Sequence, residues 1–229
     1  MNTANKTSRI LGVAFLFQFF TSIISSAIIL PQASGISAMS TPENIGESMI
    51  RIANHAGLMK ANILGEMFTA LGIAFLGVML FLALRKFGEK MVTVALGFYL
   101  VEAAILAISN LEVLSLLRIS QEYLTAGQPE YLLTMGKIAI ESTEYAYTLH
   151  TLPFCYGAVL FYYLLDKSRV VPRGLSLWGL ISIIPFLIGV PMSILGYEFP
   201  FFLYLPYVPF EFVIGLWILF KGIKDGSET

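Results

Sequence analysis

The chain has 229 residues, of which 57% are hydrophobic and only 13% are charged. Soluble globular domains carry about 25% charged residues and fewer than half apolar ones, so this composition excludes an ordinary soluble domain. The formal net charge of −1 gives no electrostatic attraction to nucleic acid, and the single cysteine, Cys155, excludes a disulfide framework or a thiolate metal site within the chain.

Apolar runs of about 20 residues recur along the sequence, which is the length that a helix needs to cross a bilayer core of ~30 Å. We therefore predict an all-α fold, a polytopic membrane helical bundle that forms a single domain over residues 1–229. The predicted transmembrane helices cover residues 10–30, 58–84, 91–118, 137–165, 174–195 and 207–220.

The longest connection, 31–55, follows the first predicted span. Its second part, ENIGESMIRIAN, places Ile45, Met49 and Ile52 on one side and most charged residues on the other. That spacing predicts one short amphipathic helix lying in the membrane interface. The preceding residues 41–44, TPEN, are suited to its N-terminus, with proline in the first turn.

Basic residues are distributed unequally between the two sides of the predicted bundle. One side, with the termini and two tight loops, carries Lys6, Arg9, Arg85, Lys86, Lys90, Lys167, Arg169, Arg173, Lys221 and Lys224. The other side carries Arg51, Lys60, Arg118 and Lys137, with a second polar connection at 119–136. The positive-inside rule therefore predicts both termini in the cytoplasm. Tyr162 and Tyr163 fit interfacial anchors, and a buried packing role is the alternative.

Four segments resemble a known family of bacterial membrane proteins. They read RILGVAFLF, YLVEAAILAISNLEVLSLLRISQEYL, FYYLLDKSRVVPRGLSLWGLI and PFEFVIGLWILFKGI. The sequence resembles the family catalogued as domain of unknown function 4386 over nearly its whole length, and the basic loop followed by Leu-Ser and Trp-Gly is the most specific part. The resemblance implies a six-span helical fold in the bacterial inner membrane. It implies no activity, and no residue role is transferred from it.

Three polar residues on three predicted spans fall near one membrane depth. Counted at ~1.5 Å per residue from the nearest cytoplasmic basic residue, Glu102 lies about 18 Å deep, Glu211 about 15 Å and Gln18 about 14 Å. A carboxylate in hydrocarbon costs roughly 2.5–3.5 kcal/mol on insertion scales, so such residues usually face a bundle interior. The common depth predicts a shared site, and a tightly structural interior role is the alternative.

A second set of polar residues lies nearer the predicted exterior and contains Glu66, Asn110, Glu112, Glu144 and His150. One interpretation is an outward-facing polar cavity for a cation, protons, or a small polar or lipid ligand. The alternative is that these side chains stabilise helix contacts or extend to water and to the basic residues at the rim.

The leading functional hypothesis is therefore non-enzymatic: binding or moving a small ligand, a cation or a proton. An intramembrane metal-assisted hydrolase that uses His150 with nearby glutamates is the second hypothesis. A structural or regulatory partner of another membrane protein is the third. HExxH and GxSxG motifs are missing from the sequence, which disfavours an enzyme. We expect no cofactor and no nucleic-acid partner. We expect the protein to lie in the lipid bilayer, and the sequence does not predict its oligomeric state.

Overall fold

The computed structural model describes residues 3–36 and 44–223, with the side chains of residues 8–36 and 44–223. Every regular element within these ranges is helical. A π-helical stretch, Ile23–Ile29, follows the first α-helix, and a 3₁₀ turn, Phe201–Tyr204, precedes the last. The α-helices are α1 (Thr3–Ser22), α2 (Leu30–Ser34), α3 (Ile45–Asn54), α4 (Ala56–Thr125), α5 (Glu130–Ser168), α6 (Arg173–Ile194) and α7 (Tyr207–Lys221).

Several helical segments are long and apolar enough to cross a membrane, judged by length and composition. They cover Ser8–Ser34, Ala56–Thr125, Glu130–Ser168, Arg173–Ile194 and Phe201–Lys221. Each predicted span falls within one of these segments, except that the span 174–195 extends one residue beyond Ile194. In an apolar setting the backbone polar groups of such a run are satisfied by the hydrogen bonds of a helix. The described chain is thus an all-helical protein suited to a multi-pass membrane location.

The longest helix, α4, has 70 residues and breaks at Gly88, where the backbone takes φ 173° and ψ 74°. The two halves fold back on each other, since a Cβ atom added to Gly77 would lie 3.1 Å from the Cβ of Tyr99. Each half exceeds the ~20 residues that a span requires. The helix therefore contains both predicted spans 58–84 and 91–118.

The connection predicted over 119–136 is shorter in the structure. Helix α4 continues to Thr125 and α5 begins at Glu130. Gly127 and Gln128, with φ of 78° and 63°, form the left-handed turn between them. Polar composition marked this stretch as a loop, but exposed helical turns are polar as well, so the helices extend further than hydropathy indicates.

The amphipathic segment forms the ten-residue helix α3, whose N-terminus is capped by Asn44. The Asn44 side chain accepts a hydrogen bond of 3.2 Å from the Glu47 amide. Met49 and Ile52 are completely buried, so this apolar side faces protein. Residues 41–43, which the sequence predicts at the N-terminus of this helix, lie outside the described residues. Lys224, one of the basic residues that predict the orientation, also lies outside them.

The described chain divides into two compact units. The first unit consists of residues 3–19, 70–104 and 148–223. Its fully buried side chains include Leu11, Phe15, Phe161, Tyr162 and Phe210. Glycines bring α1 and α7 together, because a Cβ on Gly12 would lie 2.5 Å from the backbone nitrogen of Leu219. Small residues at helix contacts are typical of membrane bundles, where close backbone approach supplies the attraction.

The second unit consists of residues 20–36, 44–69 and 105–147. Its core is formed by Ala33, Ile52, Met59, Val113, Leu116, Leu117, Ala139 and Ile140. Helix α3 is held onto this unit by Arg51, whose Nε donates a 3.1 Å hydrogen bond to the carbonyl of Gln32. Within this unit, Gly136 leaves space for the side chain of Met49.

We expect Gly12→Ala to destabilise the protein, because the new methyl group meets backbone atoms of Leu219 that cannot move aside. Overpacking of this kind costs roughly 1–3 kcal/mol. Gly97→Ala is the matched control, since nothing lies within 4 Å of a Cβ there and alanine favours a helix by about 1 kcal/mol. Thermal unfolding in detergent should show a lower midpoint for Gly12→Ala only, and equal midpoints for both variants would contradict the packing.

Candidate functional site

A buried group of tyrosines and glutamates lies inside the first unit. Helix α4 supplies Tyr99 and Glu102, three residues apart and hence on one helix face. Helix α7 supplies Tyr207 and Glu211, four residues apart, and α5 supplies Tyr162. Glu102 is 5% exposed and Tyr162 is fully buried, whereas Glu211 is only partly buried. We call these five residues the tyrosine–glutamate cluster.

Hydrogen bonds connect the hydroxyl groups of this cluster to one of its carboxylates. The Tyr207 hydroxyl donates to Oε1 of Glu211 at 2.8 Å, and it lies 2.6 Å from the Tyr162 hydroxyl. A tyrosine has a single hydroxyl proton, so Tyr162 must be the donor to Tyr207. The Tyr99 hydroxyl adjoins that of Tyr162. A row of hydroxyl groups therefore leads from Tyr99 to the carboxylate of Glu211.

Glu102 differs from the other members because its carboxyl group is not fully satisfied. Its Oε2 atom is buried and has no hydrogen-bond partner among the described residues. The carboxyl group also lies close enough to that of Glu211 for their charges to interact. A buried acceptor without a partner costs free energy, and a like charge nearby adds to that cost. A proton at Glu102 would remove its charge and the repulsion from Glu211, and a neutral carboxyl group costs less free energy to bury than a carboxylate.

Aromatic rings pack around the cluster. The centroid distances are 5.0 Å for Tyr162–Phe210, 5.3 Å for Phe154–Tyr207 and 4.9 Å for Tyr99–Phe161, all in edge-to-face geometry. Gly157 of α5 makes room for one of these rings, since a Cβ there would lie 2.6 Å from Cδ2 of Tyr99. In such apolar surroundings electrostatic interactions are stronger than in water.

Gln18 also belongs to the first unit, on α1. Its Cα lies 3.3 Å from the place that a Cβ of Gly72 would take. The ring of the next residue, Phe19, lies 5.5 Å from the ring of Phe212, which follows Glu211. The structure thus places Gln18 and Glu211 beside the same contact between α1 and α7, and it brings Glu102 and Glu211 together.

Sequence reasoning missed Tyr99 and Tyr207 and did not decide between two roles for Tyr162. A signal was available, because Tyr99 precedes Glu102 by three residues and Tyr207 precedes Glu211 by four. At these spacings the hydroxyl and the carboxyl share a helix face. The structure assigns Tyr162 to the core, whereas Tyr163 is 45% exposed.

The second unit contains its own buried polar group around Glu66. Asn62 and Glu66 lie one helical turn apart on α4, and both are buried. The Tyr147 hydroxyl of α5 lies close enough to interact with both side chains. Asn110 is also buried; its Nδ2 donates to the Leu106 carbonyl at 3.0 Å, and its Oδ1 has no partner among the described residues.

The remaining candidates are less buried than these groups. Glu112 and Glu144 are exposed side chains of the second unit. His150 is half-buried in the first unit. Within residues 3–36 and 44–223, no three His, Cys, Asp or Glu side chains lie close enough to hold a metal ion together. The hydrolase hypothesis therefore gains no support from the geometry.

Comparison with known proteins identifies a family but no characterised relative. Residues 10–222 match the family described as Domain of unknown function (DUF4386), as the sequence resemblance predicted. Neither the curated proteins nor the solved structures contain a match to the chain. The family description carries no activity, and the buried polar groups are the features of the structure that bear on function.

We expect Tyr207→Phe to lower stability by roughly 1–3 kcal/mol, because the change leaves a Glu211 oxygen and the Tyr162 hydroxyl without their partner in a buried site. Tyr163→Phe, on the exposed side of α5, should change stability little. Unfolding of both variants in detergent checks this. If Tyr207→Phe is as stable as Tyr163→Phe, the hydrogen-bonded row does not exist in the folded protein.

Proposed function

The chain belongs to the DUF4386 family, and we propose that it is a multi-pass membrane protein that binds and transfers protons at Glu102. The observation that carries the proposal is the buried Oε2 atom of Glu102, which has no partner within the described part of the chain. Beside it lie a second carboxyl group, Glu211, and the row of tyrosine hydroxyls.

A proton fits this place better than a larger solute. Tyr162 and Phe210 are fully buried and Glu102 nearly so, which means that the cluster is closely packed. A metal cation needs several oxygen ligands and the space to arrange them. A proton needs only one acceptor, and it neutralises a buried carboxylate without moving any helix. Intramembrane acids of this kind commonly serve proton relays.

The members of the cluster take different roles in this proposal. Glu102 is the deeply buried proton acceptor, and Glu211 is the more accessible one. Tyr162 and Tyr207 each donate one hydrogen bond and accept another, so a proton can pass along the row from Tyr99 to Glu211 when the bonds reverse their direction. The aromatic rings exclude water and thereby prevent protons from escaping sideways.

We further propose the membrane setting that the charges favour: one membrane domain of six spans in the bacterial inner membrane, with both termini cytoplasmic. Helix α4 would supply two of the spans, separated at Gly88. Counting from Lys90 at ~1.5 Å per residue then places Glu102 about 18 Å from the cytoplasmic surface. That depth is near the middle of a hydrocarbon core of ~30 Å.

Infrared spectroscopy of the purified protein, titrated over pH, tests the proton site. We expect a carboxylic-acid C=O band that shifts in heavy water, disappears on alkalinisation and is missing in Glu102→Gln. Glu112→Gln is the matched control, because Glu112 is an exposed glutamate of the same helix. A titrating band that is identical in wild type and Glu102→Gln, in folded protein, would remove Glu102 from the site.

The orientation is testable by cysteine labelling in sealed membrane vesicles. Cys155 is the single cysteine of the chain, so Cys155→Ala supplies a background that does not react with thiol reagents. We expect Lys86→Cys to react only with reagents that reach the cytoplasmic side, and Gln128→Cys only with reagents on the opposite side. Both positions are exposed. The reverse labelling pattern would invert the topology, and labelling of both cysteines from one side would contradict the proposed spans.

A further inference from the structure

Four basic residues lie on the side of the protein to which we assign the exterior, and two of them have partners in the structure. Arg51 donates a hydrogen bond to a backbone carbonyl, and Lys137 pairs with Glu141. The other two, Lys60 and Arg118, are exposed. Neither takes part in an ion pair or a hydrogen bond within the part of the chain that the structure describes. Two positive charges on this side are therefore not neutralised by the described protein.

One of these charges borders a cavity of 460 Å³, which opens in the second unit between the two halves of α4. The size falls within the range of ~300–1,000 Å³ typical of small-molecule pockets. The Leu64 and Leu111 side chains of its lining are more than half exposed, so the cavity is open to the surroundings of the protein. In the membrane setting proposed above, these surroundings are lipid.

The lining of the cavity is almost entirely apolar. Two polar residues take part, Lys60 and Asn110, and Asn110 is only 7% exposed. The stretch of α4 from Lys60 to Met67 is ~10 Å long. The apolar lining residues are Ile63, Leu64, Met67, Ala107, Leu111 and Leu114. An apolar surface of this length, open along one side, suits an acyl chain that lies along the helices.

The two ends of the cavity differ in charge. Because the two halves of α4 run in opposite directions, Lys60 and Leu114 border the same end. Arg118 lies one helical turn beyond Leu114 on the same helix face. The lining residues at the other end, Met67 and Ala107, are uncharged. Both basic side chains that lack a protein partner are thus placed at one end of one apolar cavity.

We propose that this cavity binds an anionic phospholipid from the leaflet that faces the exterior. Lys60 and Arg118 contact its phosphate, and one acyl chain lies along Leu64, Leu111 and Met67 toward the middle of the membrane. The anion at the helix ends and the chain further in follow the order of these groups in a bilayer lipid. Basic residues at such positions attract anionic headgroups.

A lipid with two acyl chains fits this surface better than a fatty acid. Phe68 follows Leu64 by one turn on the same helix face and is 53% exposed, so the second chain has an apolar surface beside the cavity. Each additional buried methylene group favours binding. The inference rests on the membrane setting proposed above, which the cysteine labelling tests separately, and it does not depend on proton binding at Glu102.

Native mass spectrometry of the detergent-purified full chain, titrated with defined lipids, tests the proposal. The probes are phosphatidylglycerol and phosphatidylcholine with identical acyl chains, and the free fatty acid of that chain. We expect phosphatidylglycerol to bind about tenfold to twentyfold more tightly than phosphatidylcholine, because the choline cation offsets the attraction to the two basic residues. The fatty acid should bind more weakly than phosphatidylglycerol, since it lacks the second chain.

Variants locate the two parts of the lipid. Lys60→Gln and Arg118→Gln should each weaken binding of phosphatidylglycerol about threefold to fivefold, and the double variant should lose the preference over phosphatidylcholine. Lys137→Gln is the control of equal charge change, and it should have no effect because this lysine is paired with Glu141.

Ala107→Phe should fill the uncharged end of the cavity and weaken binding of both phospholipids without altering a charge. Ile108→Phe is its matched control, because Ile108 is 65% exposed and lies outside the lining. It should leave both affinities unchanged.

Equal affinities of the wild type for the two phospholipids would overturn the proposal, as would equal effects of Lys60→Gln, Arg118→Gln and Lys137→Gln. Fatty-acid binding as tight as that of phosphatidylglycerol would also overturn it, because the second chain would then contribute nothing. The same spectra report the oligomeric state, and a lipid-free dimer that Ala107→Phe dissociates would assign the cavity to a second copy of the chain instead. Lys60 and Arg118 are exposed, so their variants remain decisive if Ala107→Phe does not fold.

Discussion

The burial of carboxyl groups among apolar helices is the constraint on which the first unit depends. Glu102 and Glu211 cannot both remain charged and unpaired in such surroundings without a large loss of stability. Tyrosine meets this constraint because it fills core volume with a ring and still brings a hydroxyl to the carboxylate. Tyr162 and Tyr207 do both, since each packs edge-to-face on a phenylalanine and joins the hydrogen-bonded row to Glu211.

The rings can occupy these positions only because neighbouring helices yield space at glycines. A Cβ on Gly157 would collide with the ring of Tyr99, and one on Gly179 would lie 2.5 Å from the Cζ atom of Phe210. The same residue type therefore brings helices close together and leaves recesses for large aromatic side chains. Helix packing and the polar chemistry of the cluster are consequently not separable: a larger side chain at Gly157 would displace a hydroxyl as well as a helix.

The sequence indicated the helical architecture and the burial of Glu102, but it did not determine which polar residues lie together. Counting residues from basic loops estimates depth and carries no information on the direction that a side chain faces. Asn110 and Glu112 illustrate this. Residues two positions apart in an α-helix point in directions ~200° apart, because the helix has 3.6 residues per turn. The structure accordingly buries Asn110 and exposes Glu112. The extension of α4 to Thr125 also escaped hydropathy, which detects apolar runs rather than helix ends.

Accessibility decides what each unsatisfied acceptor can bind. Oε2 of Glu102 and Oδ1 of Asn110 are both buried oxygens without partners among the described residues, and both need a hydrogen-bond donor. Glu102 lies in a closely packed aromatic interior, where only a proton fits without repacking the core. Asn110 lines a cavity of 460 Å³, but its Oδ1 atom has no accessible surface there, so a molecule in the cavity does not reach this atom.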